Sequence, residues 1–328
     1  MIRLLLIGFE HPNAHYYFEC LQNQPEVKLV AVAEPDGRRL HERGNLPASM
    51  SVFADYRTML REVLADGAII CSASARHKEM VIACARAKVS VLCEKPLATR
   101  TVDAREMLAI CEAHDVRFNV CFPARFCDRL IQAKHLIAQD RLGKILTVRA
   151  SSRGIVPEDW LIDPELSGGG VIMEQGTPLL DVLRWLFQSE FTEVFGNCSS
   201  RLCNLGVEDT GSLTLQMSSE AIVTIDVSWY RPDKSLPTSQ NTSVSIVGTG
   251  GVLDLELFPW MLNLYSEKDT SNLSIRYDED PRRHMLTHFF RALNQRTMTC
   301  ASGVDGLRAL EVSEAAYKAI STGTTVLL

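Results

Sequence analysis

The sequence predicts a two-part chain: an α/β first half on a parallel sheet, then an α+β second half on a large, mostly antiparallel sheet flanked by helices. Three observations carry this expectation. At 328 residues the chain exceeds what one hydrophobic core usually organises. Up to residue 121, short apolar runs alternate with stretches of helical periodicity, the pattern of parallel strands joined by right-handed crossovers. Beyond residue 190, strand-like runs follow one another with no helix between them, which requires antiparallel neighbours.

Ile2–Ile7 is the opening strand, and residues 14–23 form the helix after its turn. Val27–Ala33 is the second strand, Asp36–Arg43 is helical, Val52 lies in a short strand, and Tyr56–Ala65 is helical again. Strand Gly67–Cys71, helix Lys78–Ala87, strand Val89–Cys93, helix Val102–His114 and strand Val116–Cys121 continue the alternation. These strands are apolar at nearly every position because a parallel sheet is covered on both faces. The boundary falls between Cys121 and Arg125, giving domains 1–122 and 123–328, with the terminal helices able to pack back across it.

In an open parallel sheet, ligands lie beyond the carboxyl ends of the strands. After the first strand stands Gly8-Phe9-Glu10-His11-Pro12-Asn13, where a dinucleotide fingerprint would have three glycines. Only the first is kept. The second normally lets backbone approach a diphosphate, and the third lets helix and strand pack closely. Glu10 puts bulk and negative charge where that diphosphate would lie, which opposes binding unless its side chain turns away. Glu34 closes the second strand, where a carboxylate accepts ribose hydroxyls. It favours NAD over NADP by repelling a 2′-phosphate, an effect that Arg38 could partly reverse. Asp66 reads as a turn or cap residue, and His77 as a capping or cofactor-adjacent structural residue. The fifth strand ends in Glu94-Lys95-Pro96, so Lys95 faces the ligand side while proline fixes the backbone after it. Taken alone, those charges could equally be ordinary solvated strand-end residues.

Composition narrows the partners. Apolar content of 46% and charged content of 23% suit a globular protein, and a net charge of −6 argues against nucleic acid. Ten cysteines form no Cys-x-x-Cys pair, so they read as reduced core thiols of a cytoplasmic protein, not as a disulfide framework or zinc site. The opening apolar run, Leu4–Ile7, is too short for a signal core or a membrane span, so no membrane partner is expected. His284 and His288 are at helical spacing, but no carboxylate completes a ligand set, so no metal is expected.

Several segments follow one another at characteristic intervals: Ala31-Val32-Ala33-Glu34-Pro35-Asp36, Cys71-Ser72-Ala73-Ser74-Ala75-Arg76-His77 and Cys93-Glu94-Lys95-Pro96-Leu97-Ala98. Gly143-Lys144-Ile145, Gly168-Gly169-Gly170 and Gly306-Leu307-Arg308-Ala309-Leu310-Glu311 complete the series. Over nearly its whole length the chain resembles the glucose-fructose oxidoreductase, inositol dehydrogenase and MocA family. That resemblance implies an NAD(P)-binding Rossmann domain followed by a substrate-binding and oligomerisation domain. It implies hydride transfer at a carbinol carbon of a sugar, inositol or related polyol, with NAD, or alternatively NADP, as cofactor. The implied cofactor set is Gly8, Phe9, Glu34, Ser72, His77, Glu94, Lys95 and Pro96. Lys95 would hydrogen-bond the reacting oxygen, and a homodimer or homotetramer would form through the C-terminal sheet.

In the second half, Pro123-Ala124-Arg125-Phe126 keeps only the Arg-Phe part of the family's Asn-Arg-Arg-Phe segment. Arg125 is expected either to orient substrate or to close the domain interface. Residues 127–139 form a helix, and Ile145–Ser152 opens the second sheet. By the resemblance, Trp160 lies in a segment lining the substrate pocket; a loop tryptophan is equally a packing anchor. The three glycines then open a helix through Glu174 to Phe187, with Glu174, Pro178 and Asp181 on one face. Relatives carry a carboxylate, then His four residues on, then Asp three further. Here the His position is Pro178, which has no titratable group and removes a helical hydrogen bond. Glu174 remains as the second catalytic candidate and Asp181 as a substrate contact. The alternative is a catalytically altered or inactive member that senses a cofactor or sugar as a regulatory or partner protein. Residues 192–198, 212–217, 221–229, 243–248, 251–256 and 261–265 are strands, with Glu220 at a hairpin tip and 232–241 a polar loop. Helices 283–295 and 305–320 and strand Thr325–Leu328 end the chain.

Overall fold

The computed structural model describes residues 1–42, 46–47, 50–201, 205–230, 241–258, 261–264, 273–276, 280–294 and 300–328. The polar stretch 232–240 and Cys203 lie outside them. The chain divides into two compact units. The first comprises Met1–Phe122, Asp159–Gly169 and Met285–Leu310, and the second Pro123–Glu158, Gly170–His284 and Glu311–Leu328. The chain leaves the first unit after Phe122, but two later segments belong to it as well, so a cut into 1–122 and 123–328 is simpler than the contacts.

In the first unit, strands β1 (Ile2–Ile7), β2 (Val27–Ala33), β3 (Ser51–Phe53), β4 (Gly67–Ile70), β5 (Ser90–Cys93) and β6 (Phe118–Val120) form one sheet. All pair in parallel, in the order β3-β2-β1-β4-β5-β6. The crossovers carry α1 (Ala14–Gln22), α2 (Gly37–Glu42), α3 (Tyr56–Glu62), α4 (His77–Arg86) and α5 (Thr101–Ala113). Leu4, Leu5 and Leu6 are all fully buried because helices cover both faces of β1, and each such side chain contributes about 1.5–3 kcal/mol relative to exposure. Helix α1 buries Ala14, Tyr17, Phe18 and Leu21, one apolar stripe at helical spacing. Asp55 starts α3 by accepting from the Arg57 and Thr58 N–H groups. The open edge of β6 is closed by a returning segment: Ser302 bridges Asn119, and Ala301 O accepts from Val120 N and Asn119 Nδ2.

The second unit contains α6 (Asp128–Ala138) and β7 (Ile145–Ile155); the one-turn α7 (Pro164–Ser167) that follows belongs to the first unit. It continues with α8 (Thr177–Phe187), β8 (Phe191–Ser199), β9 (Thr210–Met217), β10 (Ile222–Tyr230), β11 (Asn241–Gly248) and β12 (Gly251–Phe258). Strands β13 (Met261–Leu264) and β14 (Leu273–Arg276) form a separate pair; α9 (Pro281–Asn294) and α10 (Gly303–Thr322) follow, with Met285–Leu310 belonging to the first unit, and β15 (Val326–Leu327) ends the second. The main sheet runs β12-β11-β7-β10-β9-β8-β15. It is mixed, not wholly antiparallel: β10 pairs with β7 in parallel. A parallel pair needs a long crossover, and the chain between these two strands supplies it. Glu220 sits at the tip of the β9–β10 hairpin with φ +68°, as the turn requires.

The expected helix through Glu174 also differs. Ile172–Gly176 forms a wide π turn, in which Thr177 N–H donates to Ile172 O, and α8 starts only at Thr177. Pro178 explains it: its ring crowds the carbonyl four residues back and it offers no N–H, so the ladder widens just before it.

Candidate active site

In the first unit, Gly8 leaves β1 with φ +83°, and a Cβ there would meet Ser72 N at 3.0 Å and the Cys71 carbonyl at 3.1 Å. Only glycine tolerates both constraints. Glu34, at the end of β2, is 3% exposed; its Oε2 accepts from Phe9 N–H at 2.6 Å and its Oε1 from Asp36 N–H at 2.9 Å. Burial pushes its pKa up, and those two N–H groups and Arg39 only partly offset this.

The Glu10 side chain is tied to the turn after β4 and to α2. Its Oε2 accepts from Ala73 N–H at 2.9 Å, and its Oε1 pairs with Arg76 at 2.6 Å and Arg39 at 2.9 Å. Trp160, which belongs to the first unit, is 5% exposed and donates Nε1–H to the Glu10 carbonyl at 3.2 Å while packing with Leu161 and Ala73.

Beyond β5, Glu94 is fully buried. Its Oε1 accepts from Asn13 Nδ2 at 2.8 Å and Tyr17 OH at 2.7 Å, with His11 Nδ1 at 3.5 Å. Its Oε2 accepts from the Lys95 backbone N–H at 3.0 Å. Lys95 itself is half-buried, and the Lys95–Pro96 peptide is cis. His77 is buried, with Nδ1 3.1 Å from Pro96 O and 3.2 Å from Leu97 O, and Nε2 3.1 Å from Ser72 O. It ties the turn after β4 to the turn after β5. Burial pushes its pKa down, and the carbonyls only partly oppose this. Ser72, also buried, offers its Oγ–H to Ala73 O at 3.3 Å.

A cleft of about 210 Å³ opens at the ends of β1, β2 and β4, lined among others by Gly8, Glu10, Glu34, Pro35, Ser72 and Arg76. A bare glycine backbone beside a strand-end carboxylate fits the ribose and diphosphate of a dinucleotide. Gly8, Glu34 and Ser72 would hold it there.

In the second unit, Asp181 is fully buried on α8 and takes a bidentate pair from Arg125, Nε to Oδ2 at 2.8 Å and Nη2 to Oδ1 at 2.5 Å. The two expected substrate contacts therefore meet each other. Glu174 and Pro178 are half-buried, and Glu174 Oε2 accepts from Trp229 Nε1 at 3.3 Å. Glu208 was not singled out in the sequence. Its carboxylate accepts from Gly170 N, Ile172 N and Tyr317 OH, and so anchors the π turn that carries Glu174. Nothing local in the sequence marks that role. Tyr17 and Asn13 were also missed, although their four-residue spacing on one helix would let them share a partner. Among the described residues no group of three His, Cys, Asp or Glu stands where it could hold a metal ion, and no helix is long and apolar enough to cross a membrane.

The 3-2-1-4-5-6 parallel sheet, Gly8 at its switch point and Glu34 ending β2 define a dinucleotide-binding domain of the Rossmann class. Residues 2–122 match the oxidoreductase family with an NAD-binding Rossmann fold, and residues 130–254 match the GFO/IDH/MocA C-terminal domain. The chain belongs to the Gfo/Idh/MocA oxidoreductase family. It is 26% identical over 313 residues to the uncharacterized oxidoreductase YrbE of Bacillus subtilis (strain 168), covering 92% of this chain and 89% of that one. To the myo-inositol 2-dehydrogenase of Thermotoga maritima it is 28% identical over 212 residues, 63% of each chain. The crystal structure of GenD2 from gentamicin A biosynthesis, in complex with NAD, has a TM-score of 0.87 at 23% identity, over 100% of this chain and 96% of that one. That last likeness is one of fold.

Proposed function

We propose that the protein is an NAD-dependent oxidoreductase acting at a carbinol carbon of a sugar, inositol or related polyol, with Lys95 at the reacting oxygen. The observation that carries this reading is Lys95 at the carboxyl end of β5, its backbone fixed by the buried Glu94, in the sheet whose first loop forms the dinucleotide cleft. The names of relatives such as myo-inositol 2-dehydrogenase and D-glucoside 3-dehydrogenase support the substrate class. When bound, NAD supplies the acceptor for the hydride. The chain must handle the hydroxyl: an ammonium aimed at that oxygen stabilises the charge that develops as its proton leaves. Pro178 cannot take the proton, so Lys95 and Glu174 are the groups assigned to it. Arg125 and Asp181, held together, are assigned to fixing the substrate end of α8, and Trp160 to the pocket wall. The test is nicotinamide absorbance during incubation with NAD and a panel of cyclitols, aldoses and glycosides. Turnover with at least one is expected; no nicotinamide binding and no turnover with any would overturn the proposal.

Pro178 favours a second reading, a family member without dehydrogenase activity that senses cofactor or sugar. Turnover gained in Pro178→His with nicotinamide binding unchanged would support it. Wild-type turnover abolished by Lys95→Ala would end it.

We also read the protein as a cytoplasmic homodimer or homotetramer joined through the second sheet. In support, Ile155, Phe195, Ile222, Val247 and Val252 are exposed on one face of that sheet by register, and most described cysteines are buried free thiols. Light scattering on the eluted protein distinguishes these assemblies from a monomer.

A further inference from the structure

We infer that Glu10 makes the cofactor cleft selective against a 2′-phosphate by holding Arg39 and Arg76 in ion pairs. The inference rests on the dinucleotide reading above and deepens it. A 2′-phosphate adds about 1.5 to 2 negative charges next to Glu34, the ribose-side carboxylate. Accepting it requires a guanidinium, which binds phosphate through two parallel hydrogen bonds. Arg39 is in position to serve, since its Nη1 lies 3.7 Å from Glu34 Oε1. It is already taken, because the same nitrogen is 2.9 Å from Glu10 Oε1. Arg76 shares that oxygen at 2.6 Å.

Two further arginines, on α2 and α3, are paired too: Arg38 with Asp36 at 3.0 Å and Arg57 with Glu79 at 2.7 Å. Those pairs are more open to solvent and to screening. The Glu10 side chain is only 5% exposed, and its Oε2 and backbone carbonyl are fixed independently by Ala73 N–H and Trp160 Nε1–H. The carboxylate therefore stays in place when a ligand approaches. The loop residue that departs most from a glycine fingerprint thus occupies two cations that would otherwise welcome NADP.

The experiment titrates NADH and NADPH by nicotinamide fluorescence into the full-length wild type, Glu10→Gln, Glu10→Gln/Arg39→Ala and Arg39→Ala, with melting curves confirming each fold. The readout is the ratio of NADPH to NADH dissociation constants. Glu10→Gln, which keeps the shape and removes the charge, is expected to lower that ratio by about tenfold, the size of one charge-assisted hydrogen bond, and adding Arg39→Ala should restore it. An unchanged ratio in folded Glu10→Gln, or a gain that survives loss of Arg39, would overturn the inference while leaving the dinucleotide reading intact. Should Glu10→Gln fail to fold, Arg39→Ala decides alone. A ratio within about threefold of wild type supports sequestration, and a rise of about tenfold means that Arg39 was already serving the phosphate. A wild type that binds neither nucleotide overturns the dinucleotide reading and this inference with it.

Discussion

Glu94 is a carboxylate with no access to water whose charge its neighbours maintain. Burial alone would push its pKa up, but His11, Asn13, Tyr17 and Lys95 outweigh that and hold it below the usual carboxylate range. With the folded value below the unfolded one, the stabilisation is fully present above the unfolded pKa and lost as pH falls through the lowered folded value. Urea denaturation of the wild type should therefore show stability falling steeply below about pH 4, and Glu94→Gln should flatten that limb while costing about 1–3 kcal/mol at neutral pH. An unchanged acid limb in the variant would contradict this account of Glu94. The family resemblance placed Glu94 in the cofactor set. It did not reveal that Asn13, just before α1, and Tyr17, a turn later on it, converge on it from 81 and 77 residues away. The cysteines follow the same logic of burial. Cys71, Cys93 and Cys121 are fully buried and their thiols are pushed well up, whereas Cys198 is exposed. Mass-resolved alkylation of the native protein should modify Cys198 well before those three.

At the scale of elements, two short segments stand out, one in each unit: the turn after β1 and the π turn before α8. Gly8→Ala must adopt φ +83° with its Cβ 3.0 Å from Ser72 N. The left-handed backbone alone costs about 1–2 kcal/mol, so the melting temperature should fall and NADH binding should weaken in a fluorescence titration. Unaltered binding would mean that the loop does not form the nucleotide seat. Tyr317 OH donates to Glu208 Oε1 at 2.7 Å, one of three donors on the carboxylate that anchors the π turn. Tyr317→Phe should cost about 1.5–3 kcal/mol in urea denaturation, the range for a hydrogen bond to a charged group. The parallel strands were legible because a doubly covered strand must be apolar throughout. The π turn was not: Pro178 announced a disturbed helix, but Glu208 and Tyr317, which hold the disturbance, are 30 and 139 residues farther along the chain. The parallel β7–β10 pair was hidden for a related reason, since strand runs show their own faces but not which distant run lies beside them.

For the whole molecule, the family places a dinucleotide domain before a second domain, and the chain divides into two units, each made of three segments. The sequence offered a boundary near residue 122 with terminal helices able to pack back across it, but such returns leave no mark in composition that would give their bounds. What the sequence did express was chemistry at strand ends, where Glu34 follows β2 at the cleft and Lys95 follows β5. It could not show the partners of Glu10, because the two arginines that pair with it come from α2 and from the turn after β4. The central claim is that Lys95 serves the reacting oxygen of a polyol in an NAD-dependent reaction. It is tested most directly by kcat/KM of wild type and Lys95→Ala on the best polyol of the panel, with NADH titrated into both. The account predicts a fall of about 10²–10⁴-fold with nicotinamide binding still measurable. Turnover of Lys95→Ala within about threefold of wild type would contradict it.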